Sequence, residues 1–350
     1  MFSKLKVIDA STVLAGPSVG SFFAELGAEV IKIENPNYPD VTRSWKLSGE
    51  NEFTDISAYF SSVNFNKSYL KINLKEEQGR LDFLELIKNA DILITNFKKG
   101  DDEKFKLTDQ ELQEVNPRLI HGKISGFGLD SDRVAYDLIL QAESGFMSMN
   151  GTEESGPIKM PVALIDVLAA HHLKEALLIA LFERTNTNLG KTVHVSLYAA
   201  AICSLMNQAS NYLMEGKIPQ RIGSLHPNIA PYGEIFQSSD HKLITFAIGS
   251  DGHFVRLCHF LGLEYLPNDP KFDNNQHRVE HRKELALILR DEIHKFKSQT
   301  ILDWAEDHFV PCGIIRTLDE VLNNENAMQF IRKETINGKP TLRMSSIAFE

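Results

Sequence analysis

The opening third of the chain alternates between short β-branched runs and amphipathic helical stretches, and that alternation narrows the architectures it can adopt more than any other feature. "KVIDAST" reads as a strand, "VLAGPSV" as a loop, "GSFFAELG" as a helix and "AEVIKIE" as a second strand. Phe22, Phe23 and Leu26 share one helix face, whereas Val30, Ile31 and Ile33 form a short β-branched run. The pattern then repeats. "SYLKINL" is a strand, "EEQGRLDFLELIKNA" an amphipathic helix carrying Leu81, Phe83, Leu84 and Ile87, and "DILITNF" a strand ending at Asn96. "RLIHGKISGFG" supplies a further strand that closes in Gly126 and Gly128. Strands joined through helices make a mostly parallel sheet, whose ligands gather at the carboxyl ends of the strands.

Further along, residues 167–184 read as one long helix, followed by the turn "TNTNLG" and the strand "KTVHVSL". Gly, Pro, Ser and Asn become frequent from about residue 214 to 240, the composition of a crossing between units. Beyond it come the strand "KLITFAIG" and the helical stretches "DGHFVRLCHFLG", "HRVEHRKELALILRDEIHKF" and "SQTILDWAEDHF". The expected organisation is an α/β fold. A large Rossmann-like domain with a mostly parallel sheet covers 1–205 and is rejoined by 322–350. A linker covers 206–224, and a smaller α+β domain covers 225–321.

Composition excludes several function classes. With 43% hydrophobic and 24% charged residues the chain is ordinary globular material, and a net charge of -10 leaves no basic footprint for nucleic acid or an anionic membrane. Cys203, Cys258 and Cys312 lie far apart without a C-x-x-C pair. Neither a disulfide framework nor a cysteine-based zinc site is expected, which suits a reducing cytosol. The N-terminus lacks the apolar core of a leader, and no stretch approaches the roughly 18 apolar residues of a membrane span. The expectation is a cytoplasmic protein.

The βαβ opening invites a dinucleotide, but "AGPSVGSFFAELG" lacks the G-x-G-x-x-G turn and places Pro17 where pyrophosphate would need glycine. A P-loop and a G-x-S-x-G elbow are absent too. His277 and His281 have i, i+4 spacing without the Glu of H-E-x-x-H, so they read as a solvated helix face, and no metal site is expected. The acids are more informative. Asp166 stands alone within "PVALIDVLAA", where lost hydration has no local replacement. Its place before the long helix suggests an N-cap, and a helix N-terminus would keep the carboxylate ionised and fixed in direction. Asp137, in "VAYDLILQ", is the other acid with apolar neighbours, so the two suggest one site approached by two loops.

"VIDASTVLAGPSVGSFFAELGAEVIKIENP", "DVTRSW", "NFNKSYLKINLK", "ADILITNF", "NPRLIHGKISGFG", "AYDLILQAESGFM", "VALIDVLAA" and "NLGKTVHVSLYAAA" resemble, in order, the motifs of the class III CoA-transferase family. That family includes formyl-CoA transferase, carnitine CoA-transferase and α-methylacyl-CoA racemases. The resemblance implies that Asp166 is a nucleophile forming aspartyl anhydride and aspartyl-CoA thioester intermediates. It implies CoA contacts from Val13, Leu14 and Ala15, from Asn96 and Phe97, and from Ile72 and Lys75 on the adenosine side. Lys104 stands where the family often has a phosphate-binding arginine, Asn35 replaces an arginine of some transferases, and Arg43 is a nearby cation. The implied partners are an acyl-CoA donor and a carboxylic acid acceptor. CoA would come as substrate with no permanently bound cofactor, and the assembly would be an interlocked homodimer.

Two departures bear on the reaction. The glycine run that covers the intermediates in formyl-CoA transferase is reduced to "RIGSLHPN", and the chain is short, as in the racemase branch. A racemase needs a histidine beside Asp137 as second base, and here that residue is Tyr136, whose phenol is a poor base near neutrality. The reading is therefore a transferase, with Tyr136 and Asp137 positioning the acyl group or acceptor. A 2-methylacyl-CoA racemase and a CoA-binding protein without activity are the alternatives.

Overall fold

The computed structural model describes residues 1–349, and its core is a six-stranded parallel sheet. The strands are β1 (Lys6–Ala10), β2 (Glu29–Glu34), β3 (Ser68–Lys71), β4 (Ile92–Thr95), β5 (Ile120–Ser125) and β6 (Thr192–Ser196). Their order is β3-β2-β1-β4-β5-β6, so the chain reverses direction across the sheet between β1 and β4. The register sets Val7 beside Val30 and Ile92, and Ile92 beside Ile120. Alternate residues therefore enter opposite cores. On one face Val7, Ile92 and Ile120 pack with Val19 and Phe23 of α1 (Ala15–Glu25). On the other, Ile8, Ile31 and Leu93 meet Phe83 and Ile87 of α2 (Glu77–Ile87). This is the α/β, Rossmann-like sheet that the period-2 and period-3.6 patterns predict.

Two later helices complete the first face. The shorter, α3 (Asp137–Glu143), touches the long α4 (Leu164–Thr187), which buries Ile165, Ala169, Leu173 and Leu177. Gly122 of β5 lets α4 lie close, since a Cβ there would meet Leu173 and Leu177 methyls at 3.2 Å. Arg184, near the far end of α4, donates to the Asp91 carboxylate at 2.8 Å and to the Arg118 carbonyl at 3.0 Å, tying the helix to the amino edge of the sheet.

The chain divides into two compact units, residues 1–147, 159–219 and 326 onward forming one, residues 148–158 and 220–325 the other. Residues 206–224 do not behave as a linker throughout: Met206–Glu215 is a helix of the first unit, stopped by Gly216 at φ 67°. The first unit also contains an antiparallel hairpin, Ile331–Ile336 with Lys339–Met344. Arg332, Arg343 and Ser345 bond the Glu25 carboxylate at the end of α1, and with the Ser346 N–H they hold it at about 2 against the upward push of its burial. The second unit has a three-stranded antiparallel sheet of Tyr232–Gln237, Leu243–Ala247 and Cys312–Ile314, backed by helices Asp251–Leu261, Arg282–Ile293 and Ser298–Asp307. It also takes in the short hairpin of Gly151–Thr152 with Gly156–Pro157, which the Gly223 N–H joins at the Gly151 carbonyl. No helix among the described residues is long and apolar enough to cross a membrane.

Candidate active site

The carboxyl ends of β1, β4 and β5 open on a cavity of about 680 Å³, at the point where the strand order reverses. Doubly wound sheets bind ligands there because the loops after neighbouring strands leave in opposite directions and part. Val13 and Leu14 line it from the loop after β1 and Ala15 from the start of α1, Asn96 and Phe97 from the end of β4, Tyr136 from just before α3 and Asp166 from α4. Asn96 pins the first loop, accepting the Thr12 N–H at 3.0 Å and donating to the Thr12 carbonyl at 2.9 Å. Gly16 is required beside it: a Cβ there would lie 2.2 Å from the Ser11 hydroxyl.

Asp166 is not an N-cap. Ala163 takes that place, and Asp166 sits in the first helical turn, 8% exposed, with its carboxylate bonded to nothing among the described residues. Burial, then the charge of Asp137, push its carboxyl up to about 7, so the expectation of a carboxylate kept ionised by the helix end is corrected. The side chain points into the cavity rather than back at the backbone, and desolvation outweighs the helix dipole.

The capping role falls to Asp137. Its Oδ1 accepts the Ile165 N–H at 2.7 Å and its Oδ2 accepts from the Gln141 amide at 2.6 Å. With both oxygens occupied, Asp137 does not border the cavity; it fixes the start of α4 and acts on Asp166 through charge. Tyr136 does border it, at one end of an aromatic group. Trp45 stands 6.3 Å from the Tyr136 ring and 5.2 Å from that of Tyr59. Burial, then Asp166 and Asp137, raise the Tyr59 phenol to about 12, so it stays neutral. Only the tertiary fold sets Trp45 against Tyr59 and Tyr136 and brings Tyr59 into the field of Asp166. In sequence Trp45 and Tyr59 are two aromatics far upstream of it.

Besides Asp137, four residues expected at the ligand do not line the cavity. Ile72 is a core side chain, packed with Ile31, Ile33 and Phe83. The Arg43 guanidinium is already committed: it forks onto Glu34, donates to the Asp55 carbonyl at 3.1 Å and covers the Phe60 ring at 3.8 Å. Lys75 and Lys104 are exposed outside the lining. The cations that do border the cavity are Lys98, Lys99, Lys123 and Arg133. Lys123 is held by Asp102 at 3.1 Å and Asp109 at 3.2 Å, and Lys99 donates to the Asp130 carbonyl at 3.0 Å. Lys98 has no side-chain partner among the described residues. "NFKKG" at the end of a strand was the available signal, since a parallel sheet presents the loops after its strands to the ligand.

Beneath the loop lie two fully buried ion pairs, Asp9–Lys67 at 2.8 Å and Lys32–Asp40 at 3.2 Å. Burial alone would raise the Asp9 carboxyl, but Lys67 and Lys32 hold it at about 2; burial lowers Lys67 to about 8 against the pull of Asp9. Both members of that pair are thus charged near neutral pH.

A doubly wound sheet with a desolvated, unbonded carboxylate in the cavity at its switch point has the form of an enzyme active site. The family described as CoA-transferase family III matches residues 2–344, and this chain belongs to it. A succinate–glutarate CoA-transferase of Agrobacterium fabrum is 36% identical across 91% of this chain and 81% of that protein. An acetyl-CoA:oxalate CoA-transferase of Acetobacter aceti is 34% identical across 92% of this chain and 82% of its own length. A CAIB/BAIF family protein from Brucella suis, known by crystal structure, superposes with a TM-score of 0.82 at 34% identity, covering 99% of this chain and 91% of that one. The protein is a family III CoA-transferase that uses acyl-CoA and acid substrates.

Proposed function

We propose that Asp166 is the nucleophile of this transferase, on the observation that its carboxylate is buried in the cavity and bonded to no group among the described residues. It attacks the thioester carbonyl of the donor, expelling CoA thiolate and leaving a mixed anhydride. The thiolate then attacks the aspartyl carbonyl, releasing the donor acid and giving an aspartyl-CoA thioester. The acceptor carboxylate attacks that thioester, and the thiolate, freed again, attacks the acceptor carbonyl of the second anhydride. Acceptor-CoA departs and the Asp166 carboxylate is restored. Tyr136 lines the cavity with the reacting carboxylate, and Trp45 and Tyr59 extend it as an aromatic group that limits water there. Val13 to Ala15 with Asn96 and Phe97 line the path of the pantetheine. Lys98, Lys99 and Arg133 supply charge for phosphates, with Lys75 and Lys104 at the same edge of the sheet.

The relatives act on succinate, glutarate and oxalate by name, so the acceptor we infer is a dicarboxylic acid. A matrix of acyl-CoA donors against mono- and dicarboxylates tests this, with Asp166→Ala as the blank. Full transfer by that variant would remove the proposed nucleophile. Hydroxylamine added during turnover should trap a hydroxamate at Asp166; none across a broad acyl-CoA panel would favour a binder without activity. The racemase reading has no second base, because Tyr136 holds that place. Exchange of the α-proton of a 2-methylacyl-CoA in deuterated water would reverse that judgement. We also propose that two copies assemble; exposed Tyr212, Leu213 and Met214 on Met206–Glu215 supply apolar surface for it, and sedimentation measures it.

The raised carboxyl fixes a pH dependence. Only the ionised form attacks, so kcat/KM for the donor should climb with pH through about 7 and level off above it. Asp137→Asn removes the second cause of the shift and should move the midpoint downward. An unchanged midpoint in that variant would show that burial acts alone.

A further inference from the structure

The loop that borders the cavity after β1 carries an unusual backbone. Val13 has φ 74°, the left-handed region, which β-branched residues seldom enter. Something must hold it there. Its N–H points at the Asp40 carboxylate, 3.2 Å from Oδ2 and 3.4 Å from Oδ1. Asp40 is 2% exposed and also accepts the Thr42 N–H at 3.1 Å and its hydroxyl at 2.7 Å. Lys32, fully buried, lies 3.2 Å from Asp40 and donates to the Ser11 carbonyl at 2.5 Å. From the other side Asn96 binds both polar groups of Thr12. Three consecutive residues of the loop are therefore fixed by side chains from β2, from the turn before Val41–Ser44 and from the end of β4. If Val13 relaxed to negative φ by a flip of the Thr12–Val13 peptide, its N–H would swing away and leave Asp40 one donor short in a site closed to solvent.

We propose that Asp40 is a positioning residue for acyl-CoA. Through the Val13 N–H, and with Lys32 as its counter-charge, it keeps the Val13–Ala15 backbone in the binding conformation before the ligand arrives. A loop competent only part of the time would weaken apparent affinity by that fraction. The proposal rests on the reading of this loop as a CoA contact. It assigns work to a residue that does not border the cavity, and it treats the buried pair as more than a fold-stabilising one.

The test separates the acceptor from the charge. Lys32→Met is combined with Asp40→Asn, which keeps an acceptor for Val13, or with Asp40→Ala, which does not. Neither leaves a buried charge unpaired. The Ala combination should show a KM for acyl-CoA about tenfold above that of the Asn combination, with kcat within about twofold. Adding Val13→Gly to the Ala combination should recover most of the tenfold, since glycine takes positive φ freely. Equal KM values for Ala and Asn, or no recovery with glycine, overturn the proposal. If the Ala combination fails to fold, Asp40→Glu replaces it, keeping the charge opposite Lys32 while displacing the acceptor. The same rise and the same glycine recovery are expected, and an unchanged KM overturns the proposal. Ala15→Trp, read by calorimetry with CoA, checks the underlying reading. Unchanged CoA affinity there sinks the reading and the proposal together, whereas weakened affinity with equal KM for Ala and Asn sinks the proposal alone.

Discussion

Asp166→Asn should lower kcat by at least about 10⁴-fold while the chain folds and binds CoA, because the amide cannot form the anhydride and the CoA-lining loops are separate from it. The same change should make the protein more stable in mild alkali. The Asp166 carboxyl is raised to about 7 from an ordinary 3.8, so between those values the folded chain holds a proton that the unfolded chain has lost. The stabilising contribution of that proton is complete below about pH 4 and is lost as pH rises through about 7. A rise of that size corresponds to about 4 kcal/mol, and the side open to the cavity lets water recover part, leaving on the order of 2 kcal/mol near pH 8. Asparagine carries no such burden. Urea unfolding of both proteins near pH 4 and pH 8 measures it: the variant should gain on the parent chiefly at the higher pH. A variant less stable at both would mean that the aspartate serves the fold first.

The largest loss of stability is expected from Lys67→Met. The Lys67 ammonium, fully buried, donates to Asp9 at 2.8 Å, to the carbonyls of Pro17 and Val63, and to the Asn64 side chain at 3.0 Å. Removing it takes the bonded counter-charge from the Asp9 carboxylate, which keeps only the Ser11 donors and the more distant Lys32 charge, and a donor from three other acceptors. The cost should be about 3–5 kcal/mol, seen as a lower urea midpoint. Lys67→Met with Asp9→Asn should recover part of that, since the uncompensated charge is gone. A single variant within about 1 kcal/mol of the parent would show that water reaches the site and that the pair is worth no more than a surface one.

These two residues differ in how far sequence could reach them. Asp166 was legible because an isolated carboxylate in an apolar run has a cost that short-range context cannot offset. Lys67 was not, because its partner lies 58 positions away and a lysine between "NFN" and "SYL" looks like any strand-edge charge. Lys32 reads as the outward residue of an alternating strand, yet the sheet buries both faces of β2. The same blindness hid that Glu34 holds Arg43, and that the Ile165 N–H and Gln141 occupy both oxygens of Asp137.

By itself, then, the sequence determined the periodicities that make a parallel sheet between helices, the strand ends where ligands collect, and the lone acid that carries the proposed chemistry. Those follow from local spacing, and local spacing is all that burial of a strand or helix face requires. The tertiary structure alone decided which charges are spent and which are free. It buried Lys32 with Asp40 and Lys67 with Asp9, set Trp45 against Tyr59 and Tyr136, brought Tyr59 into the field of Asp166, and turned Asp166 from a capping residue into an unbonded carboxylate raised toward neutrality. The physical reason is desolvation: whether a charge is screened by water, cancelled by a partner or left exposed to a substrate depends on packing between segments far apart in the chain.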